Sequence, residues 1–292
     1  MKLLLKSGIL LVVALALAAL PAAAQQVKGK SLLWKVSGNG LTAPSYIFGT
    51  LHVVCQDDLF LPKGTEAAMA STETLMLELD MDDPTMASKM MQLMVSSDTV
   101  GLVRRLTTSQ QSSISKFLQA NYGVPLQVFD KMKPFAVMTM VMGKYVDCAQ
   151  PTSYEDVFMT MAGKGKKPVE GLETVEYQIS IFDKLSPQQQ VDLLVDAVEK
   201  HEQYKEEFAA MLKLYKKQDL LKLAKLMNED LGPMEAIEDE LVDERNKAWI
   251  PKMEAQMQAG PTFFAVGAAH LPEARGILTL LAQQGYTLTP VK

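Results

Sequence analysis

The sequence predicts an α/β protein whose central mixed sheet is built from N- and C-terminal segments, with a large helical middle region. Three β-rich runs lie near the start of the chain: "SLLWKV" (31–36), "SYIFGT" (45–50) and "TLMLELDM" (74–81). Two more lie near its end, "TFFAVG" (262–267) and "YTLTPV" (286–291). Between them, apolar residues recur every three or four positions, which is the period of a helix. Strands that flank helices in this way favour a layered α/β fold.

The first 24 residues have the order of a secretory signal peptide. Lys2 and Lys6 precede an apolar run over residues 8–20, and small residues follow up to Ala24. The run is shorter than the roughly 20 residues that a membrane span requires. We therefore expect cleavage after Ala24 and a periplasmic or secreted protein with no stable membrane span after processing. An uncleaved N-terminal anchor is the alternative interpretation.

The rest of the chain, residues 25–292, has the length of a single domain. The helical pattern from about 84 to 257 is interpreted as an insertion in that domain or a layer over its sheet. Within it, "KKPVEGLE" (166–173) predicts a short buried strand, and "SPQQ" (186–189) has the spacing of a capped helix start. After the strand at 262–267, "EARGILTLLAQQ" predicts a helix that ends near the following glycine.

Composition argues against one class of partner and predicts one cross-link. The net charge of −5 is spread through the chain without a basic stripe of interleaved aromatic residues, so we expect no nucleic-acid partner. Cys55 and Cys148 are the two cysteines. Outside the cytosol an even number of cysteines favours a disulfide, so we predict a Cys55–Cys148 bond, with two buried unpaired thiols as the alternative.

Two of the three histidines have the same setting. His52 ends "SYIFGTLH" and His270 ends "FFAVGAAH", three positions after Gly49 and Gly267 respectively. Glycine accepts backbone angles that other residues avoid, so we expect each glycine to turn the chain sharply where a strand ends. If the two strands are parallel and adjacent, both imidazoles reach the carboxyl edge of the sheet, where ligands bind in open α/β folds. Such a pair suits zinc, or manganese or cobalt with carboxylate support.

Carboxylates from two predicted strands are candidates to complete a metal site. Glu78 lies within "LMLELDM", where burying a charge is costly unless it is paired or bound to metal. It is a candidate ligand or general base, the alternative being a carboxylate that faces solvent or pairs with Arg or Lys. Glu173 ends "VEGLE" and is either a further ligand or an acidic residue in the first turn of the next helix.

Arg245 and His201 have weaker signals. Arg245 lies in an acidic helix four positions before Trp249, and from the residues alone a surface ion pair is the simplest explanation. His201 lacks the glycine spacing and lies in the charged stretch "VEKHEQYKEE", so we expect it to face solvent. The sequence has no phosphate loop, nucleophile elbow, H-E-x-x-H helix or C-x-x-C pair.

Several segments together resemble the TraB/GumN family, relatives of the Tiki membrane proteases. They are "SLLWKV", "SYIFGTLHV", "LMLELD", "KPVEGLETVEYQ", "RNKAWI" and "FFAVGAAHLPEARGILTLLAQQGYTLTPV". The resemblance implies a metal-dependent peptidase in which His52 and His270 are ligands or catalytic groups and Glu78 is the matching glutamate. Arg245 begins an Arg-Asn-x-x-Trp stretch common in the family. Glu273 is a departure, because family members often have H-L-P-G where this chain has "HLPE".

We therefore predict a metal-dependent hydrolase that cleaves peptide or protein substrates. The predicted catalytic residues are Glu78, His52, His270 and Arg245, and the predicted ligands of the divalent metal (Zn, Mn or Co) are His52, His270, Glu78 and Glu173. Two alternatives stay open: a non-catalytic protein that binds haem or a peptide through its histidines and Met-rich helices, and a metal-independent esterase. The sequence does not indicate an oligomeric state.

Overall fold

The computed structural model describes residues 29–227 and 232–292, and the predicted signal peptide lies outside them. The fold is α/β with a mixed six-stranded central sheet, as predicted. The strands are β1 Leu33–Gly38, β2 Ser45–Thr50, β3 Val54–Cys55, β4 Thr74–Leu79, β5 Pro151–Thr152, β6 Val169–Glu173, β7 Thr262–Gly267 and β8 Tyr286–Pro290.

Helices occupy most of the remaining chain. They are α1 Thr65–Ala70, α2 Met86–Met94, α3 Leu102–Arg105, α4 Thr108–Tyr122, α5 Pro134–Met142, α6 Tyr154–Gly165, α7 Val175–Phe182, α8 Pro187–Glu199, α9 His201–Lys216, α10 Leu220–Met227, α11 Glu238–Leu241, α12 Asp243–Ala259 and α13 Ile277–Gln283. Short 3-10 turns lie at Gln56–Asp58, Leu126–Phe129, Gly232–Ile237 and Ala268–His270. Within the described ranges, none of these helices combines the length and apolar character that a membrane crossing requires.

The central sheet has the strand order β6-β4-β7-β2-β1-β8. The four strands β6, β4, β7 and β2 are parallel neighbours, whereas β1 is antiparallel to both β2 and β8. Strands from the start and end of the chain therefore interleave, and β6 from the middle region forms one edge. This topology gathers the carboxyl ends of four strands at a single edge of the sheet.

The sequence-based strand boundaries agree with the structure at the positions that matter for the site. The predicted runs 45–50 and 262–267 coincide with β2 and β7. β4 ends two residues before the predicted limit of 81, because the polar "DMDDP" that follows Leu79 forms a turn. α8 begins with the predicted cap, since Ser186 Oγ accepts from the Gln189 amide and the Gln189 side chain accepts from the Ser186 amide.

Two hydrophobic clusters hold the fold together. The first lies on the central sheet and includes the fully buried rings of Trp34, Phe48, Phe158 and Phe263. The second lies among the middle helices and is centred on α4, α5, α7 and α8. α5 is buried on nearly all sides, as expected for its apolar sequence "PFAVMTMVM". Burial of apolar side chains in this second cluster therefore offsets the conformational entropy lost when the middle helices become ordered.

The expectation that His201 faces solvent is wrong. Its side chain is only 14% exposed and packs against the rings of Phe117 and Tyr145, with centroids 4.9 Å and 5.5 Å away. The cause is position: His201 begins α9 directly after α8 ends, at a corner that packs against α4. Most of the charged residues around it face outward, and this composition concealed the inward position of His201.

The predicted Cys55–Cys148 disulfide is present, with a Cα–Cα distance of 5.9 Å. It joins β3, which follows His52, to the segment just before β5. Around it, β3 and β5 pair antiparallel and the Gln56 amide donates to the Gln150 carbonyl at 3.0 Å. The bond therefore fixes the loop after β2 against the segment that leads into α6.

Candidate functional site

The carboxyl ends of β2, β7 and β4 bring the predicted residues together. β2 and β7 are parallel and adjacent, as the site prediction required, and Thr50 is paired with Gly267. β4 lies on the other side of β7, also parallel to it. His52 follows β2 by two residues, and His270 ends the 3-10 turn that follows β7. Glu78, the fifth residue of β4, lies at the same edge of the sheet.

Glu78 is buried at the centre of this arrangement. Its Oε1 accepts from the Gly267 amide at 2.8 Å and lies 3.8 Å from His270 Nε2 and 3.9 Å from His52 Nε2. Its Oε2 accepts from Arg245 Nη2. Burial raises the pKa of this carboxyl, but the two imidazoles and the Arg245 guanidinium outweigh burial and lower the pKa to about 2. Glu78 is therefore an anion at neutral pH.

Gly267 has no side chain, and this leaves a space that is surrounded by Glu78, His270 and His52. A Cβ on this residue would lie 3.2 Å from Glu78 Oε1, 3.4 Å from His270 Cδ2 and 3.7 Å from His52 Nε2. The expectation that this glycine supplies a turn-specific backbone angle is wrong, because its φ of −50° and ψ of 135° suit any residue. What distinguishes the position is that a side chain there would enter the space between Glu78, His270 and His52.

Gly49, the glycine of the first motif, has a different role. It lies within β2 and outside the set of described glycines that have positive φ. A Cβ there would lie 3.1 Å from the Cα and 3.2 Å from the Cβ of Ala268, in the turn that carries His270. Gly49 thus allows the turn after β7 to pack closely on β2.

His270 is buried and held as a neutral ring. Asn246 Nδ2 donates to two backbone carbonyls, those of His270 and Arg275, so its Oδ1 must face the ring. That oxygen lies 2.7 Å from His270 Nδ1, which is therefore the protonated nitrogen and leaves a lone pair on Nε2. Burial, supported by the charge of Arg245, outweighs the opposing charge of Glu78 and lowers the pKa of His270 to about 3.

His52 is held by a carboxylate in a much wetter place, since its side chain is 67% exposed. Its Nδ1 lies 3.0 Å from Glu155 Oε1, which also accepts from Thr50 Oγ1 at 2.7 Å. Desolvation lowers the pKa of His52, but the hydrogen bond to Glu155 and the charge of Glu78 outweigh it and keep that pKa above its ordinary value. In the neutral ring, a carboxylate at Nδ1 leaves the lone pair on Nε2, which lies on the side of Glu78.

Arg245 is buried, so the surface ion pair considered from the sequence is wrong. Each of its three guanidinium nitrogens has a partner within the protein. Nε donates to Glu173, and Nη2 donates to Glu78 and lies 2.8 Å from Glu173 Oε1 as an ion pair. Nη1 donates to the Leu241 carbonyl and faces His270 Nε2 at 3.2 Å. The guanidinium also lies over the Trp249 ring at 4.7 Å. Arg245 thus connects Glu78 with Glu173, and its charge is held inside the protein by these two carboxylates.

Glu173 lies on the far side of Arg245. Its carboxylate accepts from Arg245 Nε at 3.0 Å, from Trp249 Nε1 at 2.9 Å and from Gln178 Nε2 at 3.1 Å. The alternative interpretation of Glu173 as a residue in the first turn of a helix is wrong, because α7 begins after it and is capped by the Thr174 side chain. Glu173 fixes the position of Arg245.

The donors at this edge are those that divalent metals accept. Two imidazole Nε2 atoms and one carboxylate oxygen are typical ligands of zinc, manganese or cobalt. Across residues 29–227 and 232–292, no group of three or more His, Cys, Asp or Glu side chains is already arranged as a metal site. Arg245 Nη1 also competes for the lone pair of His270 Nε2 at 3.2 Å.

Sequence reasoning missed the residues that hold the predicted ones. Asn246 lies next to Arg245 in "RNKAWI", so its segment was noted while its contact with His270 was not. Glu155 follows the cap Ser153 at the start of α6, where an acidic residue is ordinary and carries no signal. Gln178, which donates to both Glu78 and Glu173, ends the segment "KPVEGLETVEYQ", but nothing in that segment signals these two contacts.

Comparison with known proteins gives two matches that bear on this site. The model of the TraB/PrgY/gumN family matches residues 32–290. Metalloprotease TIKI2 of Danio rerio is 24% identical over 310 residues, which cover 88% of this chain and 60% of that protein. The chain thus spans less than two thirds of the length of this relative. No solved structure gives a significant match.

Proposed function

The chain belongs to the TraB/PrgY/gumN family, and on this premise we propose that it is a metal-dependent hydrolase that acts on peptides or proteins. One observation carries the proposal: His52 Nε2 and His270 Nε2 lie 3.9 Å and 3.8 Å from the same oxygen, Oε1 of Glu78. The similarity to Metalloprotease TIKI2 supports this class of reaction.

The residues fit a divalent metal in three respects. Their donor atoms are of the right type, and the missing side chain of Gly267 leaves space between them. The other nitrogen of each ring is held by Asn246 or Glu155, the kind of support that metal-ligating histidines generally have. We propose His52, His270 and Glu78 as the ligands.

Glu173, the remaining predicted ligand, is proposed to act through Arg245 instead. Its oxygens already accept hydrogen bonds from Arg245, Trp249 and Gln178. Removing a carboxylate from that many donors to coordinate a metal would leave buried N–H groups without partners, which is costly.

The chemistry divides between the ion and the side chains. A bound divalent ion supplies Lewis acidity, which polarises a carbonyl and acidifies water. Glu78, with a pKa of about 2, is too weak a base to favour proton abstraction, and this favours its role as an anionic ligand. The charge of Arg245 stabilises negative charge that develops nearby, without direct contact. His52, the exposed imidazole, faces the side from which a substrate arrives.

The test is metal uptake together with hydrolysis. Protein spanning residues 25–292 is stripped with chelator, supplied with zinc, manganese or cobalt, and assayed on a peptide library. We expect His52→Ala and His270→Ala to lose bound metal and at least about 100-fold in kcat/KM, a change of about 2.7 kcal/mol in transition-state stabilisation. His201→Gln, which alters the histidine outside the site, is the matched control and should keep both. Absence of metal uptake, or undiminished hydrolysis by the alanine variants, contradicts the proposal.

A second candidate function is metal-independent ester hydrolysis. The pairing of His52 Nδ1 with the Glu155 carboxylate favours it, because a histidine oriented in this way is a typical general base. Hydrolysis measured in the presence of a strong chelator distinguishes the two candidate functions. Full activity on simple esters by protein that contains no metal supports the second candidate, and loss of activity restored by metal supports the first.

We also propose that the mature protein works in the periplasm or is secreted, as the first 24 residues predict. The Cys55–Cys148 disulfide supports an oxidising compartment. N-terminal sequencing of the exported protein should begin at Gln25, and a protein that retains its first residues would contradict this part of the proposal.

A further inference from the structure

Glu155 is the carboxylate that contacts His52 from outside the set of proposed metal ligands. It lies in the first turn of α6, and its side chain is 13% exposed. One oxygen, Oε1, accepts from Thr50 Oγ1 at 2.7 Å and from His52 Nδ1 at 3.0 Å. The other oxygen, Oε2, is buried and has no hydrogen-bond partner among the described residues. A carboxylate kept in this way needs an explanation, because a buried acceptor without a partner is costly.

We propose that Glu155 is a positioning residue for His52: it holds the imidazole in the tautomer with hydrogen on Nδ1 and directs Nε2 at Glu78 Oε1. This inference rests on the proposed function in so far as His52 Nε2 takes part in the chemistry, as ligand or as base. An imidazole that is 67% exposed has few packing contacts to fix its ring. A charge-assisted hydrogen bond supplies the orientation that packing does not.

The two histidines differ in exposure, and each has a hydrogen-bond partner that suits its surroundings. His270 is buried, and a neutral amide, Asn246 Oδ1, suffices to hold its ring at 2.7 Å. His52 is exposed to water that competes for its hydrogen bonds, and its partner is an anion. The negative charge also strengthens the ring as a ligand or base, which an amide does not.

Glu155 is itself held from two directions, which suits a positioning role. Thr50, its hydroxyl donor, is the last residue of β2 and lies two positions before His52. On the other side, Ser153 caps α6 by accepting from the Asp156 amide at 2.9 Å. The β3–β5 pairing and the Cys55–Cys148 bond tie these two segments together. The carboxylate and the ring therefore share one rigid support.

A purely structural role is the competing explanation, because an acidic residue in the first turn stabilises any helix. Asp156 occupies the same turn and is exposed, so Asp156→Asn is the matched control for loss of one charge. Glu155→Gln keeps a hydrogen-bond acceptor for Nδ1 and loses the charge. Glu155→Ala loses both.

The experiment reads the tautomer and the metal affinity separately. In metal-free protein at pH 10, where the ring is neutral, nitrogen NMR should show His52 protonated on Nδ1 in the wild type, in Asp156→Asn and in Glu155→Gln, and on Nε2 to a large extent in Glu155→Ala. Titration with cobalt at pH 7.5 should show affinity weakened about 10- to 100-fold in Glu155→Ala, less in Glu155→Gln and not at all in Asp156→Asn.

Two results overturn the proposal: a wild-type His52 protonated on Nε2, or a folded Glu155→Ala protein with wild-type tautomer and cobalt affinity. If Glu155→Ala fails to fold, the wild-type and Glu155→Gln spectra still decide the question. If the protein binds no metal and hydrolyses nothing, the proposed function fails while the tautomer measurement stands on its own. The two failures are therefore distinguishable.

Discussion

Replacing Gly267 by alanine separates the fold from the site. The new Cβ would lie 3.2 Å, 3.4 Å and 3.7 Å from atoms of Glu78, His270 and His52. The closest approach requires a shift of a few tenths of an ångström from a side-chain tip, while the φ of −50° suits alanine. Loss of glycine freedom in the unfolded chain stabilises by about 0.4 to 1 kcal/mol. We therefore expect the free energy of unfolding to change by less than about 1 kcal/mol.

The effect on the site should be much larger. A metal held by His52, His270 and Glu78, as proposed above, would need the space that the methyl group would enter. We expect Gly267→Ala to lose metal binding and at least about 100-fold in kcat/KM, which corresponds to about 2.7 kcal/mol. The loss would come from the methyl group occupying the space of the metal, since the substitution removes no donor atom.

Gly49→Ala is the matched variant in the other motif. Its Cβ would lie 3.1 Å from the Ala268 Cα and 3.3 Å from Leu271 Cδ2, inside the packed core where backbone cannot yield cheaply. Overpacking of this kind costs about 1 to 3 kcal/mol. The folded fraction of Gly49→Ala should retain metal. Gly49→Ala should therefore lose stability but keep the site, whereas Gly267→Ala should keep stability but lose metal binding.

Urea unfolding measures the stability of each variant, and metal analysis with peptide hydrolysis measures the site. A Gly267→Ala protein that binds metal and turns over substrate like the wild type would show that the site does not need the space at Gly267. If Gly267→Ala loses as much free energy of unfolding as Gly49→Ala, the space at Gly267 is needed for packing of the fold and not specifically for the site.

Three further predictions concern stability, and urea unfolding tests each of them. Glu273 has a φ of 71°, so Glu273→Gly should raise the free energy of unfolding by up to about 1 kcal/mol, and an unchanged value would contradict a strained backbone. Cys55→Ser should lower it by up to about 4 to 5 kcal/mol in the chain-entropy model for a separation of 93 residues, and wild-type protein in reductant should match the variant. His270 has a folded pKa of about 3, below the ordinary 6.5, so the unfolded state binds its proton first as pH falls. Metal-free protein should therefore lose stability between about pH 6.5 and 3, and His270→Gln should flatten this slope; an unchanged slope would assign the loss to other groups.

The parts of the fold that the sequence predicts are those governed by local patterns. "SYIFGT" and "TFFAVG" are short apolar runs bounded by polar or glycine-containing segments, and both strands occupy the expected residues. Their spacing before His52 and His270 then leads to the shared edge, because parallel neighbours end on the same side. Glu78 was identifiable because a lone charge in an apolar strand requires a partner.

The residues that escaped prediction are joined to the site by distant contacts. Glu155 reaches His52 across 103 positions, and Gln178 reaches Glu78 across 100. Neither contact leaves a periodic or spacing signal, so one sequence cannot distinguish Glu155 from any acidic residue at a helix start. The glycine motif was recognised for a reason that does not apply, since Gly267 is required for space and sequence cannot tell space from backbone angle.

β7 lies between β2 and β4, so the central sheet cannot assemble fully until the chain has been synthesised through β7. A chain that has emerged only as far as residue 261 has a gap at the centre of its sheet, and the amide that holds the Glu78 carboxylate does not yet exist. Thr262 closes that gap by donating to Ser45 across 217 positions, and closure over such a distance is intrinsically slow. Partial translation products that end before β7 therefore have no assembled centre, and assembly waits for the last fraction of the polypeptide.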